Sequence, residues 1–150
     1  LRRMQANVYL TVPSGSPSDN DKDQALLAAE AGISWLDSHS ETIDSEELIF
    51  LRAGIEYIRG WVYMKRNEPE IAIPILRQSH EMQKEIKDSQ NYPFPLAALA
   101  DCYTQLGDTD ALRDLVTELN ETAKKAHSSG SKLRALARDI EKQLSDQGEA

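Results

Sequence analysis

The sequence predicts an all-α protein, a right-handed α-solenoid in which about three helical hairpins stack and a C-terminal helix caps the stack. Apolar residues recur at helical spacing along nearly the whole chain, and no alternating or β-branched run indicates a strand. Two segments that share a pattern lie forty residues apart, one around Tyr63 and one around Tyr103. Such a recurrence is typical of supersecondary units that bury their apolar faces against one another. At 150 residues the chain suits a single domain.

The first hairpin, residues 1–38, departs most from the shared pattern. Residues 1–10 are expected to form its first helix, a loop rich in Pro, Ser and Gly follows, and residues 22–38 form its second helix. One stripe of this second helix carries small side chains, which permit a close helix approach, and one leucine: Ala25, Ala28, Ala29, Gly32 and Leu36. The chain starts with Leu inside a helical pattern, so we expect a piece excised from a longer protein.

The second hairpin is expected over residues 44–87. Asp44 is followed three residues later by Glu47, the arrangement of a capping box, so its carboxylate should accept hydrogen bonds from the first amides of a helix. Asn67 is positioned to cap the second helix of this hairpin. Pro69 falls in the first turn of that helix, where a missing N–H costs nothing.

The third hairpin is expected over residues 93–127, after the turn KDSQNYPFP. Gly107 should end its first helix, and Asp108 or Thr109 should cap its second. SSGSK then interrupts the helical pattern, and residues 131–146 repeat it with a charged outer side. An amphipathic helix of this kind suits the closure of a stack whose last hairpin would otherwise expose an apolar face.

The recurring residues resemble the tetratricopeptide repeat, whose first helix carries a large residue, Leu, Gly or Ala, and Tyr, before a small and a bulky residue in the second. The third hairpin carries the better match: Leu96, Leu99, Ala100, Tyr103, Gly107 and Asp108. The second hairpin matches in part: Gly60, Tyr63, Ala72, Leu76 and Ser79. Here Glu56 and Arg59 replace the large residue and Leu. The resemblance covers residues 45–127, and the period of forty, against the usual period of about 34, resembles a variant in bacterial signalling and regulatory proteins.

The resemblance implies a function in binding, because the first helix of each hairpin would line a concave groove. The register of the motif places ten residues there: Arg3, Asn7, Tyr57, Trp61, Met64, Lys65, Ala97, Asp101, Thr104 and Gln105. Tyr57 and Trp61 would offer the rigid contact area of a binding hot spot. The alternative that they pack against the next hairpin stays open. The peptide-carboxylate clamp of chaperone-binding members is not expected, because Ile58, Phe94 and Ala98 occupy positions that need Asn, Lys and Arg.

Composition argues against several functional classes. The chain has 25 acidic and 17 basic residues and a net charge of −8, and its basic residues do not cluster, so this segment is not expected to bind nucleic acid. No apolar run is long enough for a membrane span. The three histidines lack metal-ligand spacing, Cys102 lies on a face expected to be buried, and no glycine-rich phosphate loop is present. We therefore expect no enzyme activity, no metal and no cofactor.

The predicted function is a cytoplasmic protein-protein interaction module that binds a peptide or a partner domain in the concave groove. The negative net charge favours a partner with a basic face. The alternative is a sensor or oligomerisation domain of a bacterial signalling protein or transcription regulator. A domain of that kind would form a homodimer or dock within its own longer chain.

Overall fold

Six helices and no strand are present in residues 18–86, 93–126 and 129–147, which are the residues that the structure, a computed structural model, describes. The helices are α1 (Asp19–His39), α2 (Ser45–Lys65), α3 (Pro69–Lys84), α4 (Pro93–Leu106), α5 (Thr109–Lys125) and α6 (Gly130–Asp146). The all-α prediction is confirmed for these residues. The helix expected over residues 1–10 lies outside them.

Two predicted helix starts and one predicted helix end are confirmed, because they depend on local chemistry. The Asp44 carboxylate caps α2 by accepting hydrogen bonds from the amides of Glu46 and Glu47 at 3.2 and 3.4 Å. Asp108 caps α5 by accepting from a backbone amide of that helix at 3.0 Å. Gly107 follows α4 in the left-handed conformation, with φ of 67°, which costs glycine little.

Two other helix starts differ from the prediction. α1 begins at Asp19, earlier than expected, because Ser18 and Asp21 form a reciprocal capping box. The Ser18 hydroxyl accepts from the Asp21 amide at 3.1 Å, and the Asp21 carboxylate accepts from the Ser18 amide at 3.0 Å. Asn67 does not cap α3. It takes the left-handed conformation in the turn after α2, with φ of 59°, and Glu68 occupies the cap position without a side-chain hydrogen bond.

Each helix packs against the next along the chain, and alternate helices also meet. α2 contacts α4, and α4 contacts α6. Two contacts fix the relative direction of α2 and α4. The rings of Tyr57 and Phe94 pair beside the start of α4, and Gln105 at the end of α4 donates a hydrogen bond to the Met64 carbonyl at the end of α2. The two helices therefore run in the same direction.

The core consists of a large cluster built by α2 to α6 and of smaller clusters between α1 and α2. Leucines dominate the large cluster and are buried almost completely: Leu76, Leu96, Leu99, Leu112, Leu115, Leu119 and Leu133. Tyr57, Trp61 and Tyr63 are partly buried and pack against both the large cluster and an adjacent α1–α2 cluster. These three aromatic side chains of α2 therefore join α1 to the rest of the core.

Two glycines allow α2 to approach its neighbours closely. A Cβ atom at Gly60 would lie 2.6 Å from both Cγ and Cδ2 of Leu76, and a Cβ atom at Gly32 would lie 2.9 Å from Cδ1 of Ile55. Leu76 is fully buried, so it has little room to move aside. By contrast, a Cβ atom at Gly54 would meet no described atom within 4 Å. α2 thus contains one glycine that its packing requires and one that it does not.

A polar cluster joins α3, α4 and α5. Arg77 in α3 donates to the Glu118 carboxylate in α5 at 2.6 Å and to the Tyr103 hydroxyl in α4 at 3.2 Å. Nε2 of the buried His80 lies 3.4 Å from the other Glu118 oxygen. The interactions with His80 and then Arg77 lower the pKa of Glu118 to about 2, against the opposing effect of burial. Glu118 therefore stabilises the fold in its ionised form.

Gly60→Ala should lower the free energy of unfolding, whereas Gly54→Ala should raise it. Both replacements remove a helix-propensity penalty of about 1 kcal/mol, but overpacking against Leu76 at position 60 costs about 1 to 3 kcal/mol. Chemical denaturation of both variants and of the original protein measures the difference. Equal stabilisation by the two replacements would contradict the close approach of α2 and α3.

Acidification from about pH 4.5 to about pH 2 should remove the stability that Glu118 contributes, on the order of 2 kcal/mol. The pKa of Glu118 is lower in the folded protein, so its contribution is complete above the unfolded value of 4.5 and is lost as the pH falls to the folded value of about 2. Denaturation of the original protein and of Glu118→Gln at several pH values measures this. The difference between their free energies of unfolding should shrink on acidification; a constant difference would refute the role of Glu118.

Candidate functional site

One side of α2 presents a row of aromatic side chains. Phe50, Gly54, Tyr57, Trp61 and Lys65 are three or four residues apart, so they lie on one stripe of the helix. Phe50 is 44% exposed, Tyr57 and Trp61 are half-buried, and Lys65 is exposed at the end of the row. Gly54 leaves open space between the first ring and the second.

A second row lies beside it on α4. Phe94, Ala97 and Asp101 share one stripe of this helix, and the Phe94 side chain is 51% exposed. The ring centroids of Phe94 and Tyr57 lie 6.0 Å apart with an interplanar angle of 45°, a tilted aromatic pair that joins the two rows. Six residues of the two rows form one surface, the α2–α4 face: Phe50, Tyr57, Trp61, Lys65, Phe94 and Asp101.

Lys65 and Trp61 form a cation–π pair at one end of the α2–α4 face. Nζ of Lys65 lies 5.5 Å from the centroid of the indole ring. Trp61 also packs against the core, so its ring is held between buried apolar side chains and an exposed cation. Core packing and the Lys65 contact therefore both order the indole ring.

Asp101 is the one acidic residue of the α2–α4 face, and it is the one charged residue of α4. Asp101 is an exposed residue, but partial burial raises the pKa of its carboxyl against the opposing charge of Lys65. Burial, and then the charge of Asp101, raise the pKa of Tyr57 to about 12 and that of Cys102 to about 11. Tyr57 therefore keeps its hydroxyl proton at neutral pH.

Hydrogen bonds hold the C-terminal end of α4 against its neighbours. Nε2 of Gln105 donates to the Met64 carbonyl of α2 at 3.3 Å. Gln143 of α6 donates to the Thr104 hydroxyl at 2.9 Å, and that hydroxyl donates to the Ala100 carbonyl at 2.8 Å. The polar groups of Thr104 and Gln105 thus position α4 between α2 and α6.

The residues predicted for the groove have different environments in the structure. Arg3 and Asn7 lie outside the described residues. Met64 requires a correction: its side chain is 3% exposed and belongs to the large core cluster, because the end of α4 lies over this part of α2. Thr104 and Gln105 are exposed, with their polar groups engaged by neighbouring helices. The remaining residues lie along the facing rows of α2 and α4: Tyr57, Trp61, Lys65, Ala97 and Asp101.

Both alternatives for Tyr57 and Trp61 describe part of their environment. Each is partly buried against the core and partly exposed on the α2–α4 face. Phe50 and Phe94 also belong to this face, although neither is among the residues predicted for the groove. The spacing of seven residues between Phe50 and Tyr57, which puts both on one stripe, could have identified the first. The same spacing of seven residues between Phe94 and Asp101 could have identified the second, whereas its pairing with Tyr57 depends on a tertiary contact.

No three His, Cys, Asp or Glu side chains in the described part of the chain converge to hold a metal ion. His39 stacks on Trp35 with ring centroids 4.4 Å apart, His80 is buried beside Glu118, and His127 lies outside the described residues. None of the six described helices has the length and apolar character needed to cross a membrane.

No protein-family model, curated protein or solved structure matches this chain. The resemblance to the tetratricopeptide repeat therefore stays a prediction that rests on the residues that carry the motif.

The Cys102 thiol should react slowly with a thiol reagent in the native protein and rapidly after unfolding. Its side chain is fully buried, and a pKa of about 11 leaves little thiolate at neutral pH. Cys102 is the single cysteine of the chain, so a colorimetric thiol assay with and without denaturant reports on it alone. We expect at least about a hundredfold difference in rate. Rapid reaction of the native protein would contradict the described packing of α4.

Proposed function

We propose that this chain is a tetratricopeptide-like protein-interaction module and that its α2–α4 face binds a peptide segment or a partner domain. The observation that carries the proposal is the group of four aromatic rings on one open face. Phe50 is 44% exposed and shares a stripe of α2 with the partly buried Tyr57 and Trp61, and Phe94 is 51% exposed and pairs with Tyr57 from α4.

Clustering distinguishes these rings from ordinary exposed apolar residues. Single exposed hydrophobic side chains are normal on a protein surface, but a contiguous patch points to an interaction site. The other large exposed hydrophobic residues in the described part of the chain lie on α1, on α3 and at the end of α4: Leu27, Ile71 and Leu106. Aromatic residues grouped in this way are also the usual composition of a binding hot spot.

Rigidity favours binding by this face. Tyr57 and Trp61 pack against two core clusters, and Lys65 lies over the indole ring. A surface that is already ordered loses less conformational entropy when a ligand binds. The α2–α4 face therefore offers large contact areas at a low ordering cost.

The order of the helices supports the choice of this face. α2 and α4 lie side by side in the same direction, α3 connects them, and α6 contacts both α4 and α5. A stack of helical hairpins would have these neighbours, and such stacks bind ligands along the surface lined by the first helix of each hairpin. In that architecture α2 and α4 are those first helices and α6 is the cap.

Phe94→Ala should weaken the binding of a peptide ligand about tenfold, as expected for an aromatic hot spot. The ligands are peptides selected by binding to the chain from a random library displayed on phage. Fluorescence anisotropy of the labelled peptides then gives Kd. Phe94 is a better probe than Trp61 or Tyr57, because its larger exposure separates binding from stability. The matched control is Ile71→Ala, which shortens a side chain of similar exposure, 46%, on α3.

Three results would overturn the proposed function. The first is a selection that enriches no peptide although the chain sediments as a monomer, and the second is equal binding by Phe94→Ala and by the original protein. In the third, Phe94→Ala converts a dimer into a monomer in sedimentation experiments while the selection enriches no peptide. That result would replace peptide binding by the oligomerisation role.

A further inference from the structure

We propose that the α2–α4 face selects a peptide segment in which a Lys or Arg side chain pairs with Asp101 while a neighbouring apolar side chain lies against Phe94 and Tyr57. This inference rests on the proposed function, since it specifies the ligand of the same face. Three features support it: the position of Asp101 near Phe94 and Tyr57, the absence of a hydrogen bond or ion pair to its carboxylate from the described residues, and the net charge of −8.

Asp101 and the exposed aromatic pair are within reach of one short peptide. Phe94 and Asp101 are seven residues apart on the same stripe of α4, which corresponds to about 10 Å along the helix axis. An extended peptide rises about 3.3 Å per residue, with alternate side chains on the same side. Side chains two or four positions apart can therefore reach Phe94 and Asp101 together.

The charge of Lys65 acts on the Asp101 carboxylate without forming an ion pair with it. No described side chain forms a hydrogen bond or an ion pair with it. The nearby cation, Lys65, lies over the Trp61 ring instead. Partial burial raises the pKa of the Asp101 carboxyl against the opposing charge of Lys65, as expected for a carboxylate that lacks a close cation. A ligand cation at this point would compensate it.

A basic side chain fits the surroundings of Asp101 better than other cations. Lys and Arg have long apolar stems that can lie along the near edge of the Tyr57 ring while the charged end reaches the carboxylate, which leaves Phe94 to the apolar side chain. An acidic ligand is disfavoured, because the chain carries a net charge of −8 and Asp101 would repel it at this face. The ligand chemistry is therefore that of a segment with one basic and at least one apolar residue.

The test uses the peptides enriched from the same random library against the full chain. We expect a Lys or Arg two to four positions from a large apolar residue in most enriched peptides. Asp101→Asn should raise their Kd about tenfold, and replacement of the basic residue by Gln in the peptide should have the same effect. The two changes together should cost no more than either alone, because both remove one charge pair.

The matched control is Asp114→Asn, which makes the same change of charge at an exposed position on α5, outside the α2–α4 face. It should leave Kd unchanged. Asp101→Asn should keep the melting temperature or raise it slightly, because the ionised carboxylate is disfavoured in the folded protein. Two results would contradict the pairing. In one, Asp101→Asn loses binding and also has a lowered melting temperature, which attributes the loss to the fold. In the other, Asp114→Asn loses binding to the same extent.

The outcomes separate this inference from the proposed function. If Phe94→Ala weakens binding but Asp101→Asn does not, or if the enriched peptides lack a basic residue, the face binds peptides and the role of Asp101 is refuted. If acidic peptides are enriched and lose affinity with Lys65→Gln, Lys65 is the recognition group and Asp101 is not. If no peptide is enriched, the proposed function fails and this inference fails with it.

Discussion

The close contact between Gly60 and Leu76 is the constraint on which the position of α2 depends. A side chain of any size at position 60 would meet a fully buried leucine, so α2 and α3 pack at a distance that glycine alone allows. α2 also contacts α1 and α4. A shift of α2 would therefore disturb three interfaces and would move Tyr57 and Trp61, which link the core clusters, at the same time.

The candidate binding surface and the core share residues in this protein. The inner parts of Tyr57 and Trp61 fill space between clusters, while their outer parts form the α2–α4 face with Phe50 and Phe94. This arrangement fixes the exposed rings without additional structure around them. It also means that changes at the two half-buried positions affect stability and binding together, so the contribution to binding is best measured at the two more exposed phenylalanines.

Local chemistry made much of the fold predictable from the sequence. Asp44, Gly107 and Asp108 act within one turn of the chain, so their roles follow from a few neighbouring residues. Asn67 was mispredicted because a left-handed turn competes with helix capping at the same residue type. The burial of Met64 and the pairing of Phe94 with Tyr57 depend on where a distant helix lies, and helical spacing alone does not contain that information.

The shared direction of α2 and α4 gives their common face an electrical polarity. Peptide dipoles add along each helix, so both helices place their partial positive ends beside Phe50 and Phe94 and their partial negative ends beside Lys65 and Gln105. The antiparallel α3 packs against both helices and offsets part of this field, which acts mainly at the first and last turns. A segment lying along the face would therefore have different energies in its two orientations, even if its side chains made equivalent contacts in both.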